Sequence, residues 1–383
     1  MTLTQAMAEP SSIGLDPERL EALVTRARRE VDQGLLPSCQ LAVARHGQLG
    51  ALYTLGAADD SSRYVIFSCT KAVVAGAAWL LMAEGALDPS TRAADLVPEF
   101  ATNGKEAITL EQLLTHTSGF PNAPLGPPDW STREGRLKRF GTWRTEFEPG
   151  TRFWYHPTSA HWVIAHMIEA ASGTDYRRFL AERVMGPLGL ARFQLGVPAE
   201  DQGDITELRQ TGEPASADEL EAVLGIREMP PSEVNDDLLV GFKDPGTRAI
   251  GVPGGGGVTG AAELALYYQA LLHNPDGLWD EDILADGTGR IRVSFRDAFG
   301  IASNRTLGLI VAGDDGQAVA RGFGRTAGPR TFGHGGAAGQ IAWADPDSGI
   351  SFAYVTNGAD ANTIRIMRRG VALSSLAGAC AAD

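Results

Sequence analysis

Ser68-Cys69-Thr70-Lys71 is the stretch whose residue types and spacing could do chemistry. On a helix, side chains three positions apart share a face, with about 5–6 Å between their Cβ atoms. A serine hydroxyl is a poor nucleophile until a base takes its proton, and a lysine can be that base where burial and a helix N-terminus lower its pKa. The extended segment 64–67 and the apolar run 72–82 around it predict such a buried helix start. The alternative is a capping serine beside a solvated lysine.

A second candidate segment is Glu148 to His156, in which a Pro-Gly turn leads into an aromatic cluster that ends in Tyr155 and His156. A lone tyrosine in such a cluster usually packs in a core with its hydroxyl bonded to the backbone. A tyrosine that faces a lysine differs, because its phenol can be held partly as phenolate and can act as a base. Tyr155 is therefore a second candidate for proton transfer.

The third candidate segment is His334-Gly335-Gly336-Ala337, which follows Thr331-Phe332-Gly333. Glycines on a strand commonly mark a place where a ligand or another backbone comes close. Exposed strand amides can bind an oxyanion, and His334 could place a proton or a hydrogen bond beside it. A sheet edge with a β-bulge is the structural alternative.

In this order, the three segments resemble the serine β-lactamase and penicillin-binding-protein superfamily, especially its class C-like branch and the family VIII carboxylesterases. Ser68 and Lys71 match the family's Ser-x-x-Lys, Tyr155 matches its second-motif tyrosine, and His334-Gly335-Gly336 matches its third motif. The resemblance covers about residues 13–377 and includes the similar stretches 108–119 and 254–265.

The resemblance implies a mechanism and a fold. Ser68 would attack an acyl carbonyl, with Lys71 and Tyr155 sharing the proton transfers, and water would then release the acid from the acyl-enzyme. The backbone amides of Ser68 and Ala337 would hold the oxyanion. The residues expected to bind substrate or oxyanion are Ser68, His156, His334, Gly335, Gly336 and Ala337.

Two departures from the family pattern bear on the substrate. Pro157 stands where the second motif usually has an asparagine, and His334 stands where β-lactamases and peptidases commonly have a lysine that attracts a carboxylate. Both favour neutral esters or amides. The remaining hypotheses are a β-lactamase or D-Ala-D-Ala peptidase, an acyltransferase, and an inactive binding or filament-forming homologue, which the retention of Ser68, Lys71 and Tyr155 disfavours.

Three other patterns predict no further chemistry. Gly255 to Gly260 fits G-x-G-x-x-G but lacks the βαβ unit of a dinucleotide site, so a glycine loop bordering the active site is the better interpretation. His156, His161 and His166 lie about 140° apart on a helix and would not converge on a metal. Cys69 points about 100° away from Ser68 and is expected to pack in the core. We expect no metal and no cofactor.

The elements that must position these residues predict an α+β fold, with an antiparallel β-sheet built from both termini, flanked by helices, and a mostly helical inserted domain. Predicted domains are 1–66 plus 246–383 for the sheet and 67–245 for the insertion, with the active site at their interface. The acidic segment 198–245 is predicted to be a mobile loop region or a surface insert. The predicted elements are helices at 16–32, 69–85, 109–115, 159–172, 176–185, 260–272 and 361–377, hairpins at 40–44/51–55 and 340–344/350–355, and a strand at 307–311.

Composition excludes several function classes. The net charge of −14 over 383 residues disfavours nucleic acid or an anionic membrane as a partner. Three scattered cysteines give neither a disulfide framework nor a zinc site. The first residues lack the pattern of a signal peptide, so we expect a cytoplasmic enzyme acting on a small-molecule ester or amide.

Overall fold

The computed structural model describes residues 3–229 and 236–382. The strands in these ranges are β1 Thr4–Met7, β2 Ser38–Arg45, β3 Gln48–Gly56, β4 Tyr64–Val65, β5 Gln194–Leu195, β6 Arg209–Thr211, β7 Gly257–Thr259, β8 Ile310–Val311, β9 Phe332–Gly333, β10 Ile341–Ala344, β11 Ile350–Thr356 and β12 Gly358–Asp360. The α-helices are α1 Pro17–Asp32, α2 Thr70–Ala83, α3 Ala93–Leu96, α4 Leu110–Leu114, α5 Arg133–Thr142, α6 Ser159–Ser172, α7 Tyr176–Leu180, α8 Ala217–Leu224, α9 Asp236–Gly241, α10 Pro245–Ile250, α11 Ala261–His273, α12 Glu281–Gly289 and α13 Thr363–Gly378.

A seven-stranded sheet in the order β1-β3-β2-β11-β10-β9-β8 joins the two ends of the chain. All its neighbouring strands are antiparallel except β1, which runs parallel to β3. The link between N-terminal and C-terminal strands is β2 with β11, where Val43 lies opposite Phe352. The predicted sheet built from both termini is therefore confirmed.

The sheet is buried on both faces because successive side chains of a strand point to opposite sides. On β11, Phe352 and Tyr354 join a core with residues of α1 and α13, whereas Ala353 and Val355 join the larger core that contains α2, α6 and α11. All seven residues of β11 are buried, so its sequence is mostly apolar and shows little alternation.

Helix α2 lies at the centre of the larger core. Thirteen of its fourteen residues are buried, which is typical of a helix that is apolar on all sides. Side chains from two other segments reach its backbone: Tyr267 Oη donates to the Ala72 carbonyl at 2.9 Å, and Trp279 Nε1 donates to the Gly76 carbonyl at 2.9 Å. A Cβ atom on Gly76 would lie 2.5 Å from Tyr267 Oη, so this approach requires glycine.

Several predicted elements differ in extent from the observed ones. The predicted strand 307–311 is reduced to β8, because Gly308 adopts φ +111° and its N–H donates to the Thr306 carbonyl at 2.8 Å. The predicted helix 176–185 is α only as far as Leu180 and continues as a π-helical turn over Ala181–Met185. Helices α5 and α12 were not predicted, because glycine and charged residues interrupt the apolar spacing that is typical of a helix.

The acidic segment 198–245 contains β6, α8 and α9, and α10 begins at its end. Helix α8 is fixed by a capping box in which Ser216 and Glu219 exchange hydrogen bonds with each other's backbone N–H. Part of the predicted mobile loop, residues 230–235, lies outside the described residues. The domain division at residues 67 and 245 stays a prediction.

No helix within 3–229 or 236–382 combines the length and apolarity needed to cross a membrane. The cytoplasmic location stays a prediction.

A buried ion-pair network connects the two helices behind the sheet. Arg369 of α13 is 1% exposed, and its Nη2 lies 2.8 Å from Asp360 Oδ2 and 3.1 Å from Glu30 Oε2 of α1. Arg365 also pairs with Asp360. Removing Arg369 leaves Glu30 and Asp360 buried, each with a single remaining partner, Arg26 and Arg365 respectively.

We expect Arg369→Met to lower the free energy of unfolding by about 3–5 kcal/mol, because Glu30 and Asp360 then lose a buried counter-ion. The measurement is urea unfolding. Arg368→Met is the matched control, since Arg368 lies on the same helix and is exposed, and it should change stability by no more than about 0.5 kcal/mol. Equal stability of the two variants would contradict the assignment.

Candidate active site

Ser68 lies in the short 3₁₀ turn Phe67–Cys69, which runs directly into α2. Phe67 holds this turn in a left-handed conformation, with φ +45°, and its ring packs edge-on against Phe242. Thr70 Oγ1 donates to the Phe67 carbonyl at 2.6 Å and accepts the Gly257 N–H at 2.9 Å. These contacts leave Ser68 partly exposed at the N-terminal end of a buried helix.

Lys71 is buried, and its ammonium group is aimed at Ser68. Its Nζ lies 3.1 Å from Ser68 Oγ, 2.7 Å from the Pro157 carbonyl oxygen and 2.6 Å from the Gly254 carbonyl oxygen. A lysine ammonium has three N–H donors, and the two carbonyls come from segments far apart in the sequence. The glycine segment beginning at Gly254 therefore borders the site, as the sequence predicts.

Tyr155 is placed by the pairing of the segment after α4 with the segment before α6. The Trp154 N–H donates to the His116 carbonyl at 3.1 Å, and the His156 N–H donates to His116 Nδ1 at 3.2 Å. The Tyr155 ring centroid is then 5.1 Å from Lys71 Nζ and 4.6 Å from the His116 ring centroid. The structure thus brings Ser68, Lys71 and Tyr155 together.

The third motif, His334 to Gly336, contacts the Ser68 turn at two points. Cys69 Sγ donates to the His334 carbonyl at 3.1 Å, and Cys69 is buried as predicted. A Cβ atom on Gly336 would lie 2.5 Å from the Ile66 carbonyl oxygen. Gly335 is exposed, and Ala337 begins a 3₁₀ turn. The oxyanion role of the Ala337 amide stays a prediction.

His334 is a neutral imidazole whose tautomer is set by its neighbours. Its Nδ1 lies 2.7 Å from the Gly335 carbonyl oxygen, which can only accept, so Nδ1 carries the hydrogen. Its Nε2 then accepts from Arg305 Nη1 at 3.4 Å. Burial, followed by the charges of Arg305 and Lys71, holds the pKa of His334 well below its usual value. In this state Nε2 accepts a hydrogen bond, and the placement of a proton or a hydrogen bond beside the oxyanion by His334 stays a prediction.

His156 is buried, and its imidazole bonds to protein groups. Its Nε2 accepts from the Phe120 N–H and from Ser118 Oγ, both at 3.1 Å, while Nδ1 donates to the Trp154 carbonyl at 2.6 Å. Burial lowers the pKa of His156 to about 3. These contacts do not support the predicted substrate contact; they assign His156 to holding the segment that ends in Tyr155.

The other histidines of this region do not form a metal site. Among residues 3–229 and 236–382, no cluster of three or more His, Cys, Asp or Glu side chains is arranged to hold an ion. His166 bonds to the Trp162 carbonyl and to Arg136, and the two ring nitrogens of His161 have no hydrogen-bond partner among these residues. The expected absence of a metal or cofactor stays a prediction.

The family model described as Beta-lactamase matches residues 23–377. The chain belongs to this Beta-lactamase family. Membership confirms the expected fold and the expectation of a serine hydrolase.

Three comparisons illustrate the range of the Beta-lactamase family. A protein of Escherichia coli (strain K12), provisionally named a D-alanyl-D-alanine carboxypeptidase, is 24% identical over 91% of this chain and 85% of its own. The esterase/beta-lactamase LipL of Mycobacterium tuberculosis (strain ATCC 25618 / H37Rv) is 26% identical over 76% of this chain and 68% of its own. The crystal structure of a family VIII carboxylesterase has a TM-score of 0.73 and 23% identity, over 93% of this chain and 97% of that one.

Sequence reasoning missed two residues of the site. His116 lies in the stretch 108–119 that resembles the family, but no role was predicted for it. Arg305 lies outside all the motifs, and no spacing or local pattern in the sequence indicates that its side chain reaches His334.

We expect Gly336→Ala to lower kcat/KM for ester hydrolysis about a hundredfold, because the new methyl group must push the third motif away from Ile66. Gly203→Ala is the matched control, since Gly203 is exposed outside the site and a Cβ atom there would have no neighbour within 4 Å. The comparison uses initial rates together with thermal unfolding, and similar rates for the two variants would argue against a close approach at Gly336.

Five buried histidines predict a stability that depends on pH. Burial holds the pKa values of His116, His156, His161, His166 and His334 below the usual value. Below pH of about 6.5 the unfolded chain therefore binds protons that the native chain does not. The free energy of unfolding should fall between pH 7.5 and pH 5.5, by about 1 kcal/mol for each such histidine.

His161→Phe tests this prediction, since it removes one buried histidine whose ring nitrogens have no hydrogen-bond partner among the described residues. The loss of stability between pH 7.5 and pH 5.5, measured by urea unfolding, should shrink by about 1 kcal/mol. His46→Asn is the control, because His46 is exposed with φ +54°, which asparagine tolerates. If His161→Phe loses as much stability between pH 7.5 and pH 5.5 as the wild type, the prediction is contradicted.

Proposed function

We propose that this protein hydrolyses carboxylic esters through an acyl-enzyme on Ser68. The observation that carries the proposal is the 3.1 Å contact between Lys71 Nζ and Ser68 Oγ, with the Tyr155 ring centroid 5.1 Å from the same nitrogen. A serine nucleophile needs a base at hydrogen-bond distance. Lys71 is placed to meet this requirement when it is the neutral amine, and Tyr155 is the second proton carrier.

In the proposed mechanism, the Ser68 hydroxyl proton passes to the Lys71/Tyr155 pair as Oγ bonds to the ester carbonyl carbon. The bond from that carbon to the alkoxy oxygen then breaks, and the leaving alcohol takes the proton from the pair. Water attacks the acyl-enzyme while the same pair accepts its proton. The bond to Ser68 Oγ breaks, Ser68 regains a proton and the acid departs. The amides of Ser68 and Ala337 are the proposed oxyanion donors.

Two observations support an ester over a peptide or a β-lactam. Pro157 offers no side-chain donor to a substrate amide, and its carbonyl is already bonded to Lys71. His334 is neutral, so this position carries no charge for a substrate carboxylate.

A second candidate is a β-lactamase or D-Ala-D-Ala peptidase using the same serine, and the name of the Escherichia coli relative favours it. The name of the Mycobacterium tuberculosis relative includes both an esterase and a β-lactamase. An acyltransferase would use the same acyl-enzyme with an alcohol in place of water, and an inactive homologue would form no acyl-enzyme. We propose a small-molecule ester or amide as the substrate.

We expect Ser68→Ala to abolish labelling by a fluorophosphonate and to lower kcat for p-nitrophenyl esters at least a thousandfold, because the nucleophile is lost. Tyr155→Phe should lower kcat about 10²–10⁴-fold while leaving the protein folded. Ser61→Ala is the matched control, since Ser61 is exposed, and it should keep both label and rate. The readouts are intact mass, peptide mapping and initial rates.

Two outcomes would overturn the proposal. A label that persists in Ser68→Ala would refute Ser68 as the nucleophile. Turnover of nitrocefin comparable to that of p-nitrophenyl esters would favour the β-lactamase candidate.

A further inference from the structure

Arg305 is a buried cation at the active site to which the mechanism above gives no role. Its side chain is almost fully enclosed, and the guanidinium carbon lies 5.1 Å from the Phe153 ring centroid and 5.6 Å from the Tyr155 ring centroid. Its Nη1 faces His334 Nε2 at 3.4 Å. Two residues of the proposed site therefore share one guanidinium neighbour.

The guanidinium of Arg305 is not neutralised by an ion pair. Among residues 3–229 and 236–382, no carboxylate lies within 4.0 Å of its nitrogens, Asp297 acts on its charge only from a longer distance, and its Nε has no hydrogen-bond partner. Burial lowers the pKa of Arg305 to about 10, so it is still protonated at neutral pH. Aromatic faces compensate a buried cation only in part, and such a group is often functional.

The backbone of Arg305 is fixed by pairing with Val293. The Arg305 N–H donates to the Val293 carbonyl at 2.7 Å, and the Val293 N–H donates to the Arg305 carbonyl at 3.2 Å. The side chain is thus held against Phe153, Tyr155 and His334 by a local backbone ladder, independently of any substrate.

The charge of Arg305 differs from those of the other groups around Tyr155. The described titratable groups that face Tyr155 are Lys71 from α2, His116 from the segment after α4, His334 from the end of β9, and Arg305. Burial holds the pKa values of both histidines well below their usual value, so they are neutral. Lys71 changes charge whenever it gives or takes the serine proton. Arg305 keeps its charge throughout.

We propose that Arg305 is a positioning residue that fixes the acceptor nitrogen of His334 and supplies constant positive charge beside Tyr155. It stabilises the negative charge that develops on the phenol oxygen when Tyr155 passes its proton to the leaving alcohol. A preorganised charge of this kind favours the transition state without costing reorganisation. This inference rests on the proposed role of Tyr155.

The test compares Arg305→Lys, Arg305→Gln and Arg305→Met by the pH dependence of kcat/KM for a p-nitrophenyl ester. Glutamine can still donate a hydrogen bond to His334 Nε2 but carries no charge. Lysine keeps the positive charge but lacks the planar guanidinium group with its several N–H donors. In the Gln and Met variants, the midpoint of the acid limb should rise by about one pH unit or more, and kcat should fall at least tenfold with little change in KM. Arg305→Lys should keep a midpoint near that of the wild type.

Arg136→Met is the matched control. Arg136 is also buried, places its guanidinium carbon 5.5 Å from the Trp162 ring centroid and donates from Nε to a histidine nitrogen, His166 Nε2, at 3.3 Å. Arg136 makes the same kinds of contact and has no place in the proposed mechanism. We expect Arg136→Met to lower thermal stability and leave the acid limb unchanged.

Two results would overturn the role of Arg305. One is a pH profile of kcat/KM for Arg305→Gln that equals that of the wild type. The other is an equal fall of kcat in Arg305→Lys and Arg305→Gln with the midpoint of the acid limb unchanged in both. If Arg305→Met fails to fold, the Lys and Gln variants decide. Failure of the proposed function would look different, because the wild type itself would then lack ester turnover and fluorophosphonate labelling at Ser68.

Discussion

The contact of the Lys71 ammonium with the carbonyl oxygens of Pro157 and Gly254 is the interaction on which the rest of the site depends. An ammonium group loses its hydration when it is buried, so protein acceptors must replace water. Here they come from the segment before α6 and from the glycine segment before β7, which meet only because both pack against the start of α2. The same two contacts point Nζ at Ser68.

Close backbone approaches set the positions of the other groups. Gly336 passes so near Ile66 that no side chain fits, and the Cys69 thiol bonds to the His334 carbonyl on the other side of the nucleophile. The third motif is therefore in direct contact with the turn that carries Ser68. His156 and His116 serve Tyr155 in a similar way, through hydrogen bonds that use their ring nitrogens within the protein.

The electrostatics of the site differ from what the residue types suggest. Of the groups around Tyr155, the two histidines are neutral because burial disfavours their charged forms, and positive charge comes from Lys71 and Arg305. His334 occupies the position of a family lysine but cannot replace its charge. Next to His334 lies the buried guanidinium of Arg305, which enters from the segment before β8 and faces Tyr155.

The sequence by itself determined the candidate nucleophile, its lysine and tyrosine partners, and the α+β fold, because these depend on local spacing, helix start signals and apolar runs. It could not show that His156 bonds inward, that His334 is a hydrogen-bond acceptor or that Arg305 faces Tyr155. Each of these depends on a contact between residues at least 29 positions apart, or on burial, which local patterns do not record. The strand at 310–311 is also shorter than its apolar run suggests, because the chain turns at Gly308, where it passes close to Ala75 of α2. Tertiary packing decided these features, because only the folded chain brings the groups together and removes the water that would otherwise surround them.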